Sequence, residues 1–359
     1  MKAAVNRAFK TPLTIEDVTL APPGPGEVEI RTRACAICHS DIMFIDGGWG
    51  GDLPAIWGHE AAGEVTAVGE GVTDVAPGDR VIATLIRSCG TCSCCMAGQR
   101  TYCTADYALN EKSPLSDTSG AMVKHGLKTA AFAERMVVER SQVAKLSGDI
   151  GWAEAALLAC GVITGYGAVT NTAKMPAGAK AVVIGAGGVG LNAAQGAALS
   201  GASQVIVIDI APAKLDIAPG FGATHTINGA SANAVEEVRR ITNGGADFVF
   251  VTVGAVQAMA QAYEMLGIGG AAVLVGMPAV GQMSTYDPLT LADAGQRIIG
   301  SKMGQTDLAR DIPQLLASYY NGRLKLDELV TGRFALAEIN EALDTTRRGI
   351  GVRNVILFD

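Results

Sequence analysis

Nowhere does the sequence hold a block of Lys or Arg. Its 28 basic side chains face 35 acidic ones, for a formal charge of −7. A protein that tracks a polyphosphate backbone needs the opposite balance, so nucleic acid is excluded as a partner. A long apolar run is also absent. The most apolar stretch, 181–210, is interrupted by six glycines and by Asn192, Gln195, Ser200, Ser203 and Gln204. It reads as strand, turn, helix and strand, not as a membrane span. The first twenty residues interleave Lys2, Arg7, Lys10, Glu16 and Asp17 with apolar ones and lack the apolar centre of a secretory signal. Neither a solenoid-length repeat nor a low-complexity linker occurs. A soluble protein with no membrane partner is expected.

Eight cysteines are present. Without a secretory signal they point to a reducing cytoplasm, where close spacing means metal more often than disulfide. A cytoplasmic location is the expectation.

The 359 residues are 49% apolar, long for one core and comfortable for two. Short strand-like runs fill the first third, at 27–32, 61–68, 80–83 and 133–138, separated by turn signals such as Pro22-Pro23-Gly24-Pro25-Gly26. They suggest a mostly-β domain of barrel or meander type. From Lys180 the character changes. Apolar strands at 181–184, 205–209, 248–252 and 271–275 alternate with helical stretches at 189–200, 213–221, 234–242 and 256–266. Such alternation implies a parallel sheet covered on both faces. Helical periodicity returns at 311–321 and 337–348, and a strand at 354–358 closes the chain. The expected fold class is α/β: a doubly wound parallel sheet inserted in a mostly-β domain. The expected division is 1–161, 162–302 and 303–359, the last returning to the first domain.

After the strand Ala181-Val182-Val183-Ile184 comes Gly185-Ala186-Gly187-Gly188-Val189-Gly190, then a helix. In this context a G-x-G-x-x-G turn binds a dinucleotide. The first Gly permits the tight turn, the second lets backbone approach the pyrophosphate, and the third lets helix pack on strand. The phosphates then meet unpaired N–H groups at a helix N-terminus. Asp209 ends the next apolar strand, about 20 residues on, where a carboxylate accepts from ribose hydroxyls. Its charge repels a 2′-phosphate, which favours NAD over NADP. Lys214 is a candidate neighbour of the same ribose.

Cys89, Cys92, Cys95 and Cys103 follow the pattern C-x2-C-x2-C-x7-C. Four thiolates on a compact lobe match a closed tetrahedral structural zinc site. Cys94 adjoins Cys95 and is the alternative; the even C-x2-C steps favour Cys95. Cys38, His59 and Cys160 come from distant segments. Together they make a candidate three-ligand catalytic zinc with an open fourth position.

Six ordered motifs resemble those of zinc-containing medium-chain alcohol dehydrogenases. They are Cys38-His-Ser-Asp, Gly58-His-Glu-Ala-Ala-Gly, Pro77-Gly-Asp-Arg-Val, the four-cysteine lobe, Leu158-Ala-Cys-Gly-Val-Ile-Thr-Gly-Tyr-Gly and the Gly-rich turn. The likeness covers essentially the whole chain and is strongest toward the animal-type and bacterial aryl-alcohol or glutathione-adduct branches. It implies a GroES-like catalytic domain around a Rossmann domain, with one catalytic and one structural Zn2+ and NAD as coenzyme. Cys38, His59 and Cys160 then correspond to catalytic zinc ligands, Glu60 to a carboxylate behind the metal, and Asp41 to the partner holding the His59 imidazole. Ser40 corresponds to the hydroxyl that bonds the substrate oxygen. His39 and Arg353 correspond to pyrophosphate contacts, and Thr164 and Val189 to residues near the nicotinamide. The pocket is implied to include Trp49, Leu85 and Met277.

A relay His expected five residues after the first ligand Cys is replaced by Met43, which carries no proton. The resemblance implies hydride transfer between NAD and a hydrophobic, aryl or allylic primary alcohol. The alternatives are an S-(hydroxymethyl)glutathione, formaldehyde-type or polyol dehydrogenase, a nicotinoprotein that keeps its NAD, and a non-catalytic NAD-binding relative. A homodimer is expected, with a homotetramer as the alternative.

Overall fold

A computed structural model describes residues 1–359. Two compact units emerge: Met1–Cys160 together with Asp307–Asp359, and Gly161–Thr306.

The first unit is built from strands. Lys2–Asn6, Thr14–Leu20, Leu115–Asp117, Met122–His125 and Ala55–Ile56 close a small barrel. A seven-stranded sheet runs in the order Val143–Lys145, Arg80–Ala83, Glu60–Val68, Glu27–Ala36, Arg353–Leu357, Val330–Ala335, with Arg135–Glu139 also paired to Glu27–Ala36. Glu27–Ala36 is the spine of this sheet. Its Val28, Ile30, Thr32 and Ala34 are fully buried, the period-two signature of a strand with a core face. The register sets up the site. Ala36, at the end of the spine, lies opposite both Glu60 and Val355. Cys38 follows that end, Glu60 begins one neighbouring strand with His59 just before it, and Arg353 begins the other. Residues remote in sequence therefore meet because three antiparallel neighbours start or stop together.

The second unit carries a six-stranded parallel sheet. Its order is His225–Asn228, Gln204–Asp209, Lys180–Ile184, Ala246–Val251, Leu266–Leu274, Arg297–Gly300. Numbered by chain, this is 3-2-1-4-5-6, the dinucleotide-binding order, with its switch point beside the first strand. Val182, Ile206, Val249 and Ala272 pack into one core. Sequence periodicity located the four inner strands but passed over His225–Asn228 and Arg297–Gly300. Both are edge strands with largely exposed side chains, so neither carries the continuous apolar run of a strand covered on both faces. One helical stretch, Trp152–Ala173, is long and apolar enough to cross a membrane, and 89% of its most apolar window is buried within the protein. Its apolarity reflects core packing.

Candidate metal centres and dinucleotide turn

Cys38 is the N-cap of the helix His39–Ile45. Asp41, in that helix's first turn, reaches back to accept from the Cys38 N–H through Oδ2 at 2.9 Å. Its other oxygen accepts from the Gly58 N–H at 3.0 Å and lies 3.0 Å from His59 Nδ1. One carboxylate therefore ties together the two segments that carry Cys38 and His59. Cys160 arrives from a third segment, in a π-helical turn, Leu158–Val162. Such turns widen a helix locally and often mark functional positions.

The ligand atoms of Cys38, His59, Glu60 and Cys160 all lie within 4.8 Å of one another, and all four residues are buried. His59 Nε2 has no hydrogen-bond partner although it is buried. With Nδ1–H given to Asp41, Nε2 presents a lone pair toward two sulfurs, a costly arrangement unless an electron-pair acceptor sits there. The donor set of two sulfurs and an imidazole suits zinc. The protonation pattern points the same way. Hydrogen bonding from Cys160, helped by His59, pulls the Cys38 thiol well below its usual range, whereas the bond to Cys38 and burial push Cys160 up. Burial opposes charge on His59, but the Asp41 carboxylate and the Cys38 sulfur outweigh it. A thiol held low beside an imidazole that Asp41 orients is a donor set a dication can occupy by displacing protons.

Glu60 is fully buried, and its carboxyl is pushed up to about 7, chiefly by burial and against the pull of Arg353. Arg353 donates to Glu60 in a buried ion pair. Arg353, which the resemblance implies at a cofactor pyrophosphate, is buried beside the candidate ligand cluster and paired with Glu60.

The second cluster gathers Cys89, Cys92, Cys95 and Cys103. Cys95 is the member and Cys94 stands outside. Backbone N–H groups turn inward on the sulfurs: Thr91 and Cys92 donate to Cys89, at 3.4 and 3.3 Å, and Cys89 donates to Cys103 at 3.4 Å. Amide bonds to sulfur stabilise thiolate, and Cys92 is lowered to about 6, first by the backbone of Thr104. A tetrahedral zinc fits this set. Tyr107, whose hydroxyl lies 3.4 Å from Cys103 Sγ, was not legible in the sequence, since a Tyr four residues past a cysteine has no signature.

In the second unit, Gly185 holds φ of +101°, which side chains rarely adopt. A Cβ on Gly190 would lie 1.7 Å from the Gly185 carbonyl oxygen. Both positions demand glycine. Gly187 differs, because a Cβ there would meet nothing within 4 Å. It caps the helix Gly188–Leu199 and leaves open space at the helix N-terminus, as a pyrophosphate requires. Asp209 accepts from the Ala186 N–H at 2.7 Å and from the Ala211 N–H at 2.9 Å, so it braces the Gly-rich turn. A carboxylate has about four acceptor sites, which leaves capacity for ribose hydroxyls.

The family model described as alcohol dehydrogenase GroES-like domain matches residues 24–148, and that described as zinc-binding dehydrogenase matches 188–319. A rice protein named alcohol dehydrogenase class-3 is 37% identical, over 100% of this chain and 97% of its own. The chain belongs to the zinc-containing medium-chain alcohol dehydrogenase family. Consistent with this, S-(hydroxymethyl)glutathione dehydrogenase of Paracoccus denitrificans is 35% identical, covering 99% of each chain. The crystal structure of benzyl alcohol dehydrogenase from Acinetobacter calcoaceticus superposes with a TM-score of 0.93 at 31% identity, covering 100% of this chain and 99% of the other.

In this alcohol dehydrogenase family member, zinc and NAD(P) are the groups the clusters and the Gly-rich turn would hold. Of the remaining expected residues, Ser40 is half-buried and His39 exposed on the helix that Cys38 caps. Trp49 meets Phe44 edge to face at 5.3 Å, and Phe44 stacks on Trp57 at 4.9 Å. Leu85 is half-buried in the same unit. In the dinucleotide unit, Thr164 is buried with its hydroxyl 3.7 Å from Met303 Sδ, while Val189 and Lys214 are half-buried and Met277 is exposed.

Proposed function

We propose that the protein interconverts a hydrophobic primary alcohol, aryl or allylic, and its aldehyde with NAD. The observation that carries the reading is the buried Cys38–His59–Cys160 set with its unpartnered imidazole nitrogen. A purely structural role would not need such a set. A zinc ion held there would supply Lewis acidity, of the kind that moves water's ionisation from about 15.7 to about 7, and NAD would accept the hydride. The chain's own residues do the rest. Asp41 holds the His59 tautomer, and Arg353 holds Glu60 behind the cluster. The Ser40 hydroxyl takes the proton from the substrate hydroxyl. Met43 ends any relay through the side chain at that position, so the proton leaves Ser40 by way of water or the ribose hydroxyls.

The Gly-rich turn and Asp209 favour NAD over NADP, since Ile210, next along, offers no cation to a 2′-phosphate. The Phe44–Trp49–Trp57 aromatic group supports an aryl substrate, in keeping with the benzyl alcohol dehydrogenase likeness. The Paracoccus relative supports the second reading, a glutathione-adduct dehydrogenase. Two zinc ions per chain, one catalytic and one in the four-cysteine lobe, a cytoplasmic location and a homo-oligomer complete the proposal. The exposed edge strand Arg297–Gly300 and the exposed Ile268, Val280, Met283 and Leu289 supply an apolar edge for a second copy to cover.

The test is a turnover screen of benzyl alcohol, allyl alcohol, S-(hydroxymethyl)glutathione and a polyol, each with NAD and NADP. Preference for benzyl alcohol with NAD is expected. Turnover confined to the glutathione adduct would move the assignment to the second reading, and turnover of none would remove the enzymatic one.

A further inference from the structure

We propose that the first unit carries a second ligand site, for a small oxyanion with a carboxylate or phosphate group, in a pocket around Arg87. The cavity is about 170 Å³ and is lined by Arg87, Asn110, Glu111, Lys124, His125 and Lys128. No motif of the catalytic reading falls on these residues.

Arg87 is the principal charge of this pocket. Its side chain is only 3% exposed, and every partner it has is neutral. Nε donates to Gln142 Oε1 at 2.7 Å, one terminal nitrogen to Asn110 Oδ1 at 2.6 Å, and the other to the Lys128 carbonyl at 3.2 Å. The Tyr107 ring lies 5.5 Å from the guanidinium carbon. Glu139 and Glu27 act on Arg87 only through space, and no carboxylate forms an ion pair with it. A guanidinium has five N–H donors in a planar fork, so two remain after these three bonds. A buried charge without a counter-ion is the arrangement proteins avoid, and a bidentate oxyanion is its natural complement.

The surroundings repeat the sign. Lys124 and Lys128 join Arg87 on the lining, and Glu111 is the single acid among them. Lys124 shares its charge with the exposed Asp52 at 2.9 Å. Both ring nitrogens of His125 are buried and make no regular hydrogen bond. Burial and Arg87 keep this imidazole neutral, at about 3, so it adds no charge to the wall. Bound there, an oxyanion would pin the helix Ala108–Glu111 against the barrel strand Met122–His125.

Calorimetric titration of the zinc-loaded, full-length protein at constant ionic strength tests this, with inorganic phosphate in one arm and acetate in the other. Saturable millimolar or tighter binding in at least one arm is expected, and the arm that responds assigns the source. Lys128→Gln should weaken it about tenfold, the worth of one charge-assisted hydrogen bond, with benzyl alcohol turnover unchanged. Arg87→Gln should abolish it. If Arg87→Gln does not fold, Lys128→Gln carries the test. Absence of saturable binding in both arms, or binding unaltered by Lys128→Gln, would overturn the site.

Discussion

Asp41 Oδ1 lies 3.0 Å from His59 Nδ1, and neither side chain has exposed surface. The same carboxylate accepts from the backbone N–H groups of Cys38 and Gly58. It thereby fixes the imidazole tautomer and the spacing of two ligand-bearing segments at once. Asp41→Ala strands two buried N–H donors and frees the ring. Zinc affinity at this cluster should fall about 10–100-fold, and stability should drop by about 3 kcal/mol. Chelator competition and a urea titration measure the two. Unchanged zinc affinity would remove the orienting role.

Asp209 braces the Gly-rich turn, and the proposed function gives it a second duty, discriminating the coenzyme. Asp209→Ala deletes a charge-assisted acceptor worth about 1.5–3 kcal/mol, so the KM for NAD should rise about 10–100-fold. The ratio of NAD to NADP efficiency should fall as well, because the repulsion of a 2′-phosphate goes with the charge. Coenzyme kinetics at saturating alcohol check this. A loss shared equally by NAD and NADP would leave only the bracing duty.

His125 makes stability depend on pH. Burial first, and then Arg87, hold its folded pKa at about 3, against roughly 6.5 in an unfolded chain. Above that unfolded value both states are neutral and the contribution is complete. As pH falls below it, the unfolded chain takes up a proton that the folded one refuses, and stability declines. From roughly pH 7.5 to 5 the loss is about 2 kcal/mol. His125→Phe should lack this component, seen as a shallower dependence of the denaturation midpoint on pH. Parallel curves for the two proteins would contradict it.

The four-cysteine lobe separates neighbours. Cys95 belongs to the cluster and Cys94 does not, so Cys95→Ser should lose one zinc and Cys94→Ser none. Metal analysis after gel filtration decides, and the reverse outcome would shift the register by one.

Much of this was legible in the chain because the chemistry is local. The Gly-rich turn, Asp209 and the lobe cysteines each lie within one strand–turn–helix or loop, where spacing is geometry. Cys38, His59 and Cys160 were legible through resemblance, since no local spacing joins them. What joins the first two is register, Ala36 opposite Glu60 and Val355, while the π-helical turn Leu158–Val162 brings in Cys160. That long-range pairing leaves no trace in a single sequence, and the Arg353–Glu60 pair was missed for the same reason. The solitary Arg87 gave no signal either, because its unusual property is the absence of a carboxylate partner in space. Edge strands escaped notice where exposure diluted their apolar pattern.

Zinc stoichiometry of Cys160→Ser beside that of the unaltered protein bears most directly on the catalytic cluster. Two zinc ions per chain in the unaltered protein and one in Cys160→Ser, with circular dichroism unchanged and alcohol turnover lost, are expected. One zinc per chain in both proteins, or two in both with turnover retained, would contradict a catalytic metal held by Cys38, His59 and Cys160.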